Sequence, residues 1–519
     1  MRWPAILLLM AALPAALAAQ TPSRPPIVPP RGPRRPQKVS SRPPLSAARY
    51  DWRQFNFDSR HTGNNTAESL VSAANVSGLS RLFVVLLPEV ADGAPAVLSG
   101  VVTPAGTLDL LFVTTKDGRL IALDARSGTP LWFQQPATGP NYTTSQPAID
   151  PDRQHVYAYG LEGAVHKYAV ADGTEVIGGG WPETVTLKPD VEKQSSALAI
   201  ATPSPNHSFL YVANGGYPGD AGDYQGHVTT IDLTSGAQNV FNAACSDRTI
   251  HFVENGGPDN DCAHVQTAVW ARPGVVYDAA TNRILFATGN GDFDGHLGGK
   301  DWGDSVLAIA PDGTGVNGGP LDSYTPVNFQ SLDQTDTDLG SAAPALLPAL
   351  ASSRYPRLCV QAGKDGDLRL LDLDNLSQQG GPGHVGGELQ ILHLPQGGAV
   401  LTQPAVWIDS AARVWLFVVT ASGVSGLQVT VDSAGTPSLT PQWLVSQGGF
   451  SPIVANGVLY YAHSNRILAL DPLTGNVLWS DTNIGSIHWE SPVMANGILY
   501  ITDESGALTA YSVGGRLPF

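Results

Sequence analysis

Apolar and polar residues alternate along most of this chain in short runs, the period-two signature of half-buried β-strands. The runs come in sets, and each set opens on a lead-in that contains proline. These are Ala94-Pro95-Ala96-Val97, Gln146-Pro147-Ala148-Ile149, residues 199–205, Arg272-Pro273-Gly274-Val275, Ala343-Pro344-Ala345-Leu346, Gln403-Pro404-Ala405-Val406, Ser451-Pro452-Ile453-Val454 and Ser491-Pro492-Val493-Met494. A second apolar run follows each lead-in, at 110–114, 155–159, 209–213, 284–288, 358–362, 414–420, 458–462 and 498–502. Helical periodicity is poor throughout. The pattern predicts eight small antiparallel sheets, with seven as the alternative count.

The sets are copies of one unit. Ala122-Leu123-Asp124 … Gly128 … Trp132 returns near the C-terminus as Ala469-Leu470-Asp471 … Gly475 … Trp479, with Asp, Gly and Trp at steps of four. A unit repeated at both ends of a long chain signals a repeat architecture. A strand ends at Leu-Asp, Gly supplies the positive-φ turn position, and the returning strand carries Trp towards the next unit. The last unit stops at Tyr511-Ser512-Val513 without its Gly-turn-Trp strand. Residues 79–87 are the expected replacement, because a ring closed by a borrowed strand leaves no free sheet edge. The fold expected for 51–519 is therefore all-β, an eight-bladed β-propeller.

Two segments precede it. Residues 1–18 read as a secretory signal, with Arg2, an apolar core and Ala16-Leu17-Ala18 as the cleavage site. The core is too short to span a bilayer, and the mature chain is expected to hold no transmembrane segment. Residues 19–50 read as a basic, Pro-rich linker that cannot bury a core.

Charge then narrows the partners. The 519 residues carry a formal −16; with Arg2 and the seven basic residues of 20–49 set aside, 21 basic face 45 acidic residues, a net −24. So acidic a body repels nucleic acid and anionic lipid. Of three cysteines, Cys245 and Cys262 share a polar loop and are expected to be bridged, whereas Cys359 lies in an apolar run and is expected to be free.

With the repeats in hand, the chain resembles the PQQ-repeat superfamily, the eight-bladed propellers of quinoprotein alcohol dehydrogenases and their non-catalytic relatives. The Asp…Gly…Trp units and Asp51-Trp52 … His61-Thr62-Gly63-Asn64 carry the likeness over roughly 51–513. It implies a funnel in which PQQ would lie beside Ca²⁺ and perform the oxidation. Thr288-Gly289-Asn290 matches the family segment whose Asn ligates calcium. Asp336, in Asp336-Thr337-Asp338, matches the catalytic Asp, and Lys364 matches the residue contacting the quinone. The Trp that floors the quinone falls at Arg272, with Trp270 two positions away, and the calcium-binding Glu falls at Ala221, between Asp220 and Asp223. There is no adjacent Cys-Cys pair and no Cys-x-x-Cys-His haem site.

Other candidates come from the residues themselves. Asn290, Asp292, Asp294 and Asp301, with Gly295, follow the spacing of a calcium loop; an ordinary Gly/Asp turn is the competing reading. A general base could be sought among Asp333, Asp336 and Asp338, against the reading of a solvated acidic loop. Arg272 is equally suited to hold an anion in the funnel or to cap an inter-blade carbonyl. Trp132 and Trp479 read as docking residues between repeats. No pair of histidines shows zinc spacing, and no nucleophile elbow, P-loop or dinucleotide fingerprint is present. Two function classes follow: an exported, monomeric, non-catalytic propeller that binds a protein or small ligand, and the alternative of a PQQ- and calcium-dependent dehydrogenase acting on an alcohol or sugar.

Overall fold

The computed structural model describes residues 49–135, 137, 141–248 and 262–518. The signal read at 1–18 and all of the linker read at 19–50 except Arg49 and Tyr50 lie outside them. The eight sheets fall where the alternation places them. Blades I to VI are each a continuous stretch, at residues 96–134, 148–184, 192–242, 276–324, 345–393 and 405–445. Blade VII takes 450–481 and a two-residue strand, Asn64–Asn65, that lies parallel to its innermost strand. Blade VIII is made of Val493–Ala495, Ile498–Thr502, Ala507–Val513 and the N-terminal strand Leu79–Leu86. That strand runs antiparallel to Ala507–Val513, with Leu79 opposite Val513 and Leu86 opposite Ala507. The ring is thus an eight-bladed β-propeller closed within one shared sheet.

The Asp-Gly-Trp unit has a mechanical explanation. In blade I, Asp124 takes the backbone N–H of Arg126 on its carboxylate (2.8 Å) and that of Gly128 on its carbonyl (2.8 Å). Gly128 sits at φ 72°, a region costly for residues with a Cβ. The glycine is also where the neighbour's aromatic lands. A Cβ on Gly173 would meet the Trp132 ring at 2.6 Å, and one on Gly475 would meet Trp443 at 2.7 Å. Each Trp therefore covers the turn of the next blade, and Nε1 of Trp132 and Trp443 donates to Val170 O (3.2 Å) and Pro472 O (3.0 Å).

One element has no counterpart in the repeat pattern. Residues 50–63 run across the innermost strands of all eight blades in order. Tyr50 N donates to Asn496 in blade VIII, and Trp52 exchanges two backbone bonds with Val97 in blade I. Arg53 O accepts from Ile149, the Gln54 amide brackets Ile200, and Ser59 O accepts from Tyr277. Arg60 donates to Leu346 O and Leu347 O, Thr62 O accepts from Val406, and Gly63 O accepts from Val454. This hub satisfies inner-strand backbone groups that would otherwise lack partners. His61 is buried in it, its Nδ1 donating to Phe55 O at 2.6 Å.

Among the described residues no helix is long and apolar enough to cross a membrane. Cys245 is bonded to Cys262, and Cys359 is buried and free.

Candidate functional site

Two sets of loops converge at one end of the ring. The first set precedes the innermost strand of a blade and carries Thr144, Lys193, Ser195, Trp270, Arg272, Asp338 and Trp489. The second follows the middle strand and carries Tyr217, Asp220, Asn290 and Lys364. Both sets line one cavity of about 290 Å³, together with Tyr142, Asp336 and His488.

On one wall the acids gather around an internal cation. Lys364 Nζ lies 2.5 Å from Asp338 Oδ2 and 2.9 Å from Asp336 Oδ1. Asp338 is the buried partner, its side chain 5 % exposed against 67 % for Asp336. Its other oxygen accepts the backbone N–H of Asn290 at 2.7 Å. Burial pushes the Asp338 carboxyl up despite the Lys364 ammonium and the Asn290 amide that favour its charge. Burial alone would lower the Lys364 amine, but Asp338 and Asp336 outweigh it and hold it above the usual range. Gly289 is obligatory here, because a Cβ would come 2.5 Å from Asp338 Oδ1. Asn290 Nδ2 lies 3.5 Å from Asp220 Oδ2, and Asp220 Oδ1 accepts from Tyr224 at 2.6 Å. Behind this wall Asp304 is fully buried. One of its oxygens accepts Leu339 N–H (2.9 Å) and the other has no partner, and burial pushes its carboxyl up to about 8.

The opposite wall is cationic and aromatic. Arg272 is buried and spent on carbonyls: Ser195 O at 2.7 Å, Thr144 O at 2.9 Å and Asp92 O at 3.4 Å. Of the two readings open for it, the structure therefore shows an inter-blade cap. Burial lowers its guanidinium to about 10. His488 Nδ1 (2.8 Å) and Lys116 Nζ (3.4 Å) both meet Asp92 Oδ2, and Lys116 also meets Glu504 at 2.8 Å. Asp92, His488 and Glu504 bring one ligand atom each to within 4.8 Å of one another, as a metal site would need, but the Lys116 ammonium already serves them. Glu490, beside this group, is pushed up to about 9 by burial and by Asp92.

Of the residues singled out in the sequence, Asn290, Asp336, Lys364, Trp270 and Arg272 border this one cavity. The calcium-loop spacing does not hold together as one site. Asn290 faces the funnel, whereas Asp292 and Asp301 meet the two nitrogens of His264 at 2.6 and 3.4 Å. Asp294 accepts the Asp301 backbone N–H (2.9 Å), and Asp301 accepts that of Cys245 (2.8 Å). These carboxylates brace the loop at the disulfide, as an ordinary Gly/Asp turn would. Tyr142, Lys193, Tyr217, His488 and Trp489 were not foreseen. The signal that could have found four of them is positional: Tyr142, Lys193, His488 and Trp489 sit shortly before the lead-ins of their blades, whereas Tyr217 follows a middle strand.

The Trp270 face is covered by the Lys364 ammonium, 5.5 Å from the ring, and its ring meets Trp489 edge-on (67°, 6.2 Å). With Arg272 consumed and Trp270 covered, no open indole remains at the position where the resemblance puts the cofactor floor.

Comparison with known proteins agrees with the architecture. The family described as "Outer membrane protein assembly factor BamB", a PQQ-repeat family, matches residues 87–240 and 402–517, just over half of the chain. No curated protein matches. Among solved structures, the quinohemoprotein alcohol dehydrogenase of Comamonas testosteroni superposes with TM-score 0.63 at 16% identity, over 91% of this chain and 82% of that one. Quinohemoprotein alcohol dehydrogenase ADHIIG of Pseudomonas putida HK5 gives 0.61 at 14%, over 90% and 80%. A europium-containing methanol dehydrogenase gives 0.63 at 13%, over 89% and 98%. At such identities the likeness is one of fold.

Proposed function

The chain belongs to the PQQ-repeat propeller family that this family model describes, and on that premise we propose that it is an exported binding propeller whose funnel takes a small planar anion. The observation that carries this is one wall of the 290 Å³ cavity, where Tyr142, Tyr217 and Trp489 stand with Lys193 and the charge of the buried Arg272, opposite the Asp336–Lys364–Asp338 group. Aromatic faces hold a flat molecule, and a cationic wall inside a body of net −24 selects an acidic one. The disulfide and the family support an oxidising, extracytoplasmic setting.

Isothermal titration of the full chain with benzene-1,2,4-tricarboxylate tests it. Heat of binding that persists without divalent cations and disappears in Trp489→Ala is the expected result. A flat trace with this anion and with PQQ ends the proposal.

A second reading, a PQQ- and calcium-dependent dehydrogenase oxidising an alcohol or sugar, draws on Asn290, Asp336, Asp338 and Lys364 bordering one cavity. The residues present do not fit it: Lys364 neutralises the acids that a calcium ion would need, and the indole floor is lacking. Alcohol-dependent dye reduction by protein loaded with PQQ and Ca²⁺, lost in Asp336→Ala, would install this reading instead.

A further inference from the structure

We propose that Lys193 is an amine nucleophile, condensing in the funnel with a small ligand that carries both a carbonyl and an acidic group. This rests on the binding reading above and names the class of ligand for that site.

The observations begin with a contrast between two buried lysines on neighbouring turns. Lys188 is a structural lysine: its Nζ meets Asp223 O at 3.0 Å, Gln225 Oε1 at 2.7 Å and Asp223 Oδ2 at 3.6 Å. Lys193 is 4 % exposed, yet among the described residues its Nζ has neither a hydrogen bond nor an ion pair. It rests 4.2 Å above the Tyr142 ring and forms part of the cavity wall. Strand geometry puts it there. Glu192 and Lys193 are consecutive in a two-residue strand against Gly216 and Gly215, so their side chains point to opposite faces. Glu192 turns inward to the Thr186 hydroxyl and the Gln225 amide, and Lys193 turns to the funnel.

A buried ammonium without an acidic partner is costly, and the chain answers by losing the proton. Burial, with Arg272 and Lys116 adding positive charge, lowers the amine to about 7; Asp92 opposes this but is engaged by His488 and Lys116. A substantial share of the amines is then free near neutral pH, which is how a desolvated lysine beside another cation becomes a nucleophile. The positive field that lowers it also draws the ligand's acid.

The step balances without a redox partner. The nitrogen lone pair attacks the carbonyl carbon, the N–C bond forms, and the carbonyl π pair moves to oxygen. That oxygen leaves as water with two protons, which the nitrogen gives up in net terms, and a neutral imine remains.

Glyoxylate with sodium cyanoborohydride is the probe, read by peptide mass mapping. Carboxymethyl-lysine at residue 193 is expected at about tenfold or more over Lys167 and Lys300, rising as pH passes through about 7. Lys193→Arg, which forms no imine, should lose this label. Labelling of Lys193 no greater than of Lys167 and Lys300, with the tricarboxylate still bound, overturns the imine and leaves the binding function standing. Absence of both the label and the tricarboxylate heat removes both.

Discussion

Trp479 Nε1 donates to the carbonyl oxygen of Leu79 at 2.9 Å, a bond between residues 400 positions apart. Trp479 closes the last full repeat, and Leu79 begins the strand that completes the ring. The tryptophan ring also meets Tyr511 edge-on at 5.1 Å. The same Trp-to-next-blade bond that joins blades I and II therefore serves as the clasp of the circle.

Trp479→Phe should retain most of the packing and lose the bond, at a cost of about 1 kcal/mol. Trp479→Ala loses the ring contacts too and should cost about 3 kcal/mol. Urea unfolding midpoints separate the two. Equal stability of the Phe variant and the parent chain would mean that ring packing alone closes the propeller.

The Lys364–Asp338 pair offers a second test. Removing the ammonium leaves a buried carboxylate, and such a loss typically costs about 3 kcal/mol or more. Lys364→Met is expected to fall in that range at pH 7. Without the cation the folded-state pKa of Asp338 rises further above its unfolded value, so the penalty exists above that unfolded value and shrinks as pH falls. Lys364→Met combined with Asp338→Asn should recover most of the loss at pH 7. A double variant no more stable than the single would show that Lys364 acts through its stem and not through its charge.

The ring was legible in the sequence because each blade buries both faces of its inner strands and announces itself by alternation, a Pro lead-in and Asp-Gly-Trp. Ring closure was legible for the same reason, since a unit lacking its outer strand needs a donor. The hub of residues 50–63 was not, because a segment that bonds through its backbone, as Arg53, Ser59 and Gly63 do, imposes no side-chain period. Site legibility followed the same division. Asn290, Asp336 and Lys364 stand in motif-like segments, whereas Lys193 gains its character from Tyr142, Arg272 and Lys116, three residues distant in sequence. Arg272 shows the converse, since its residue type left two roles open and only its carbonyl partners decide between them.

Asp304 carries a pH prediction. Its folded pKa of about 8 lies above the unfolded carboxylate range, so the folded state holds a proton that the unfolded state releases. Stability from this group is fully present below about 4, where both states are protonated, and is lost as pH rises towards 8. Asp304→Asn keeps an acceptor for Leu339 N–H and removes the titration. The variant should match the parent near pH 4 and exceed its melting temperature by ~2 °C or more at pH 8. A constant offset at both pH values would remove the carboxyl as the cause.

His61 works in the opposite sense, and it does so in the hub. Burial lowers its folded pKa below 6.5, outweighing the backbone of Phe55 and Val275 and the charge of Asp58, which favour the proton. The folded state thus keeps the ring neutral where the unfolded state takes a proton. Stability from this group is present above about 6.5 and declines as pH falls below it, by at most about 1.4 kcal/mol per pH unit for one proton. His61 holds φ at 51°, which asparagine tolerates and most residues do not, so His61→Asn is the replacement that spares the backbone. It should be less stable than the parent at pH 8 for want of the ring, yet show a flatter decline between pH 6.5 and 5. Because residues 50–63 bond to every blade, the decline in the parent should appear in near-UV circular dichroism, which reports aromatic packing, as one transition of the whole ring. Parallel pH profiles for His61→Asn and the parent would place the acid sensitivity elsewhere.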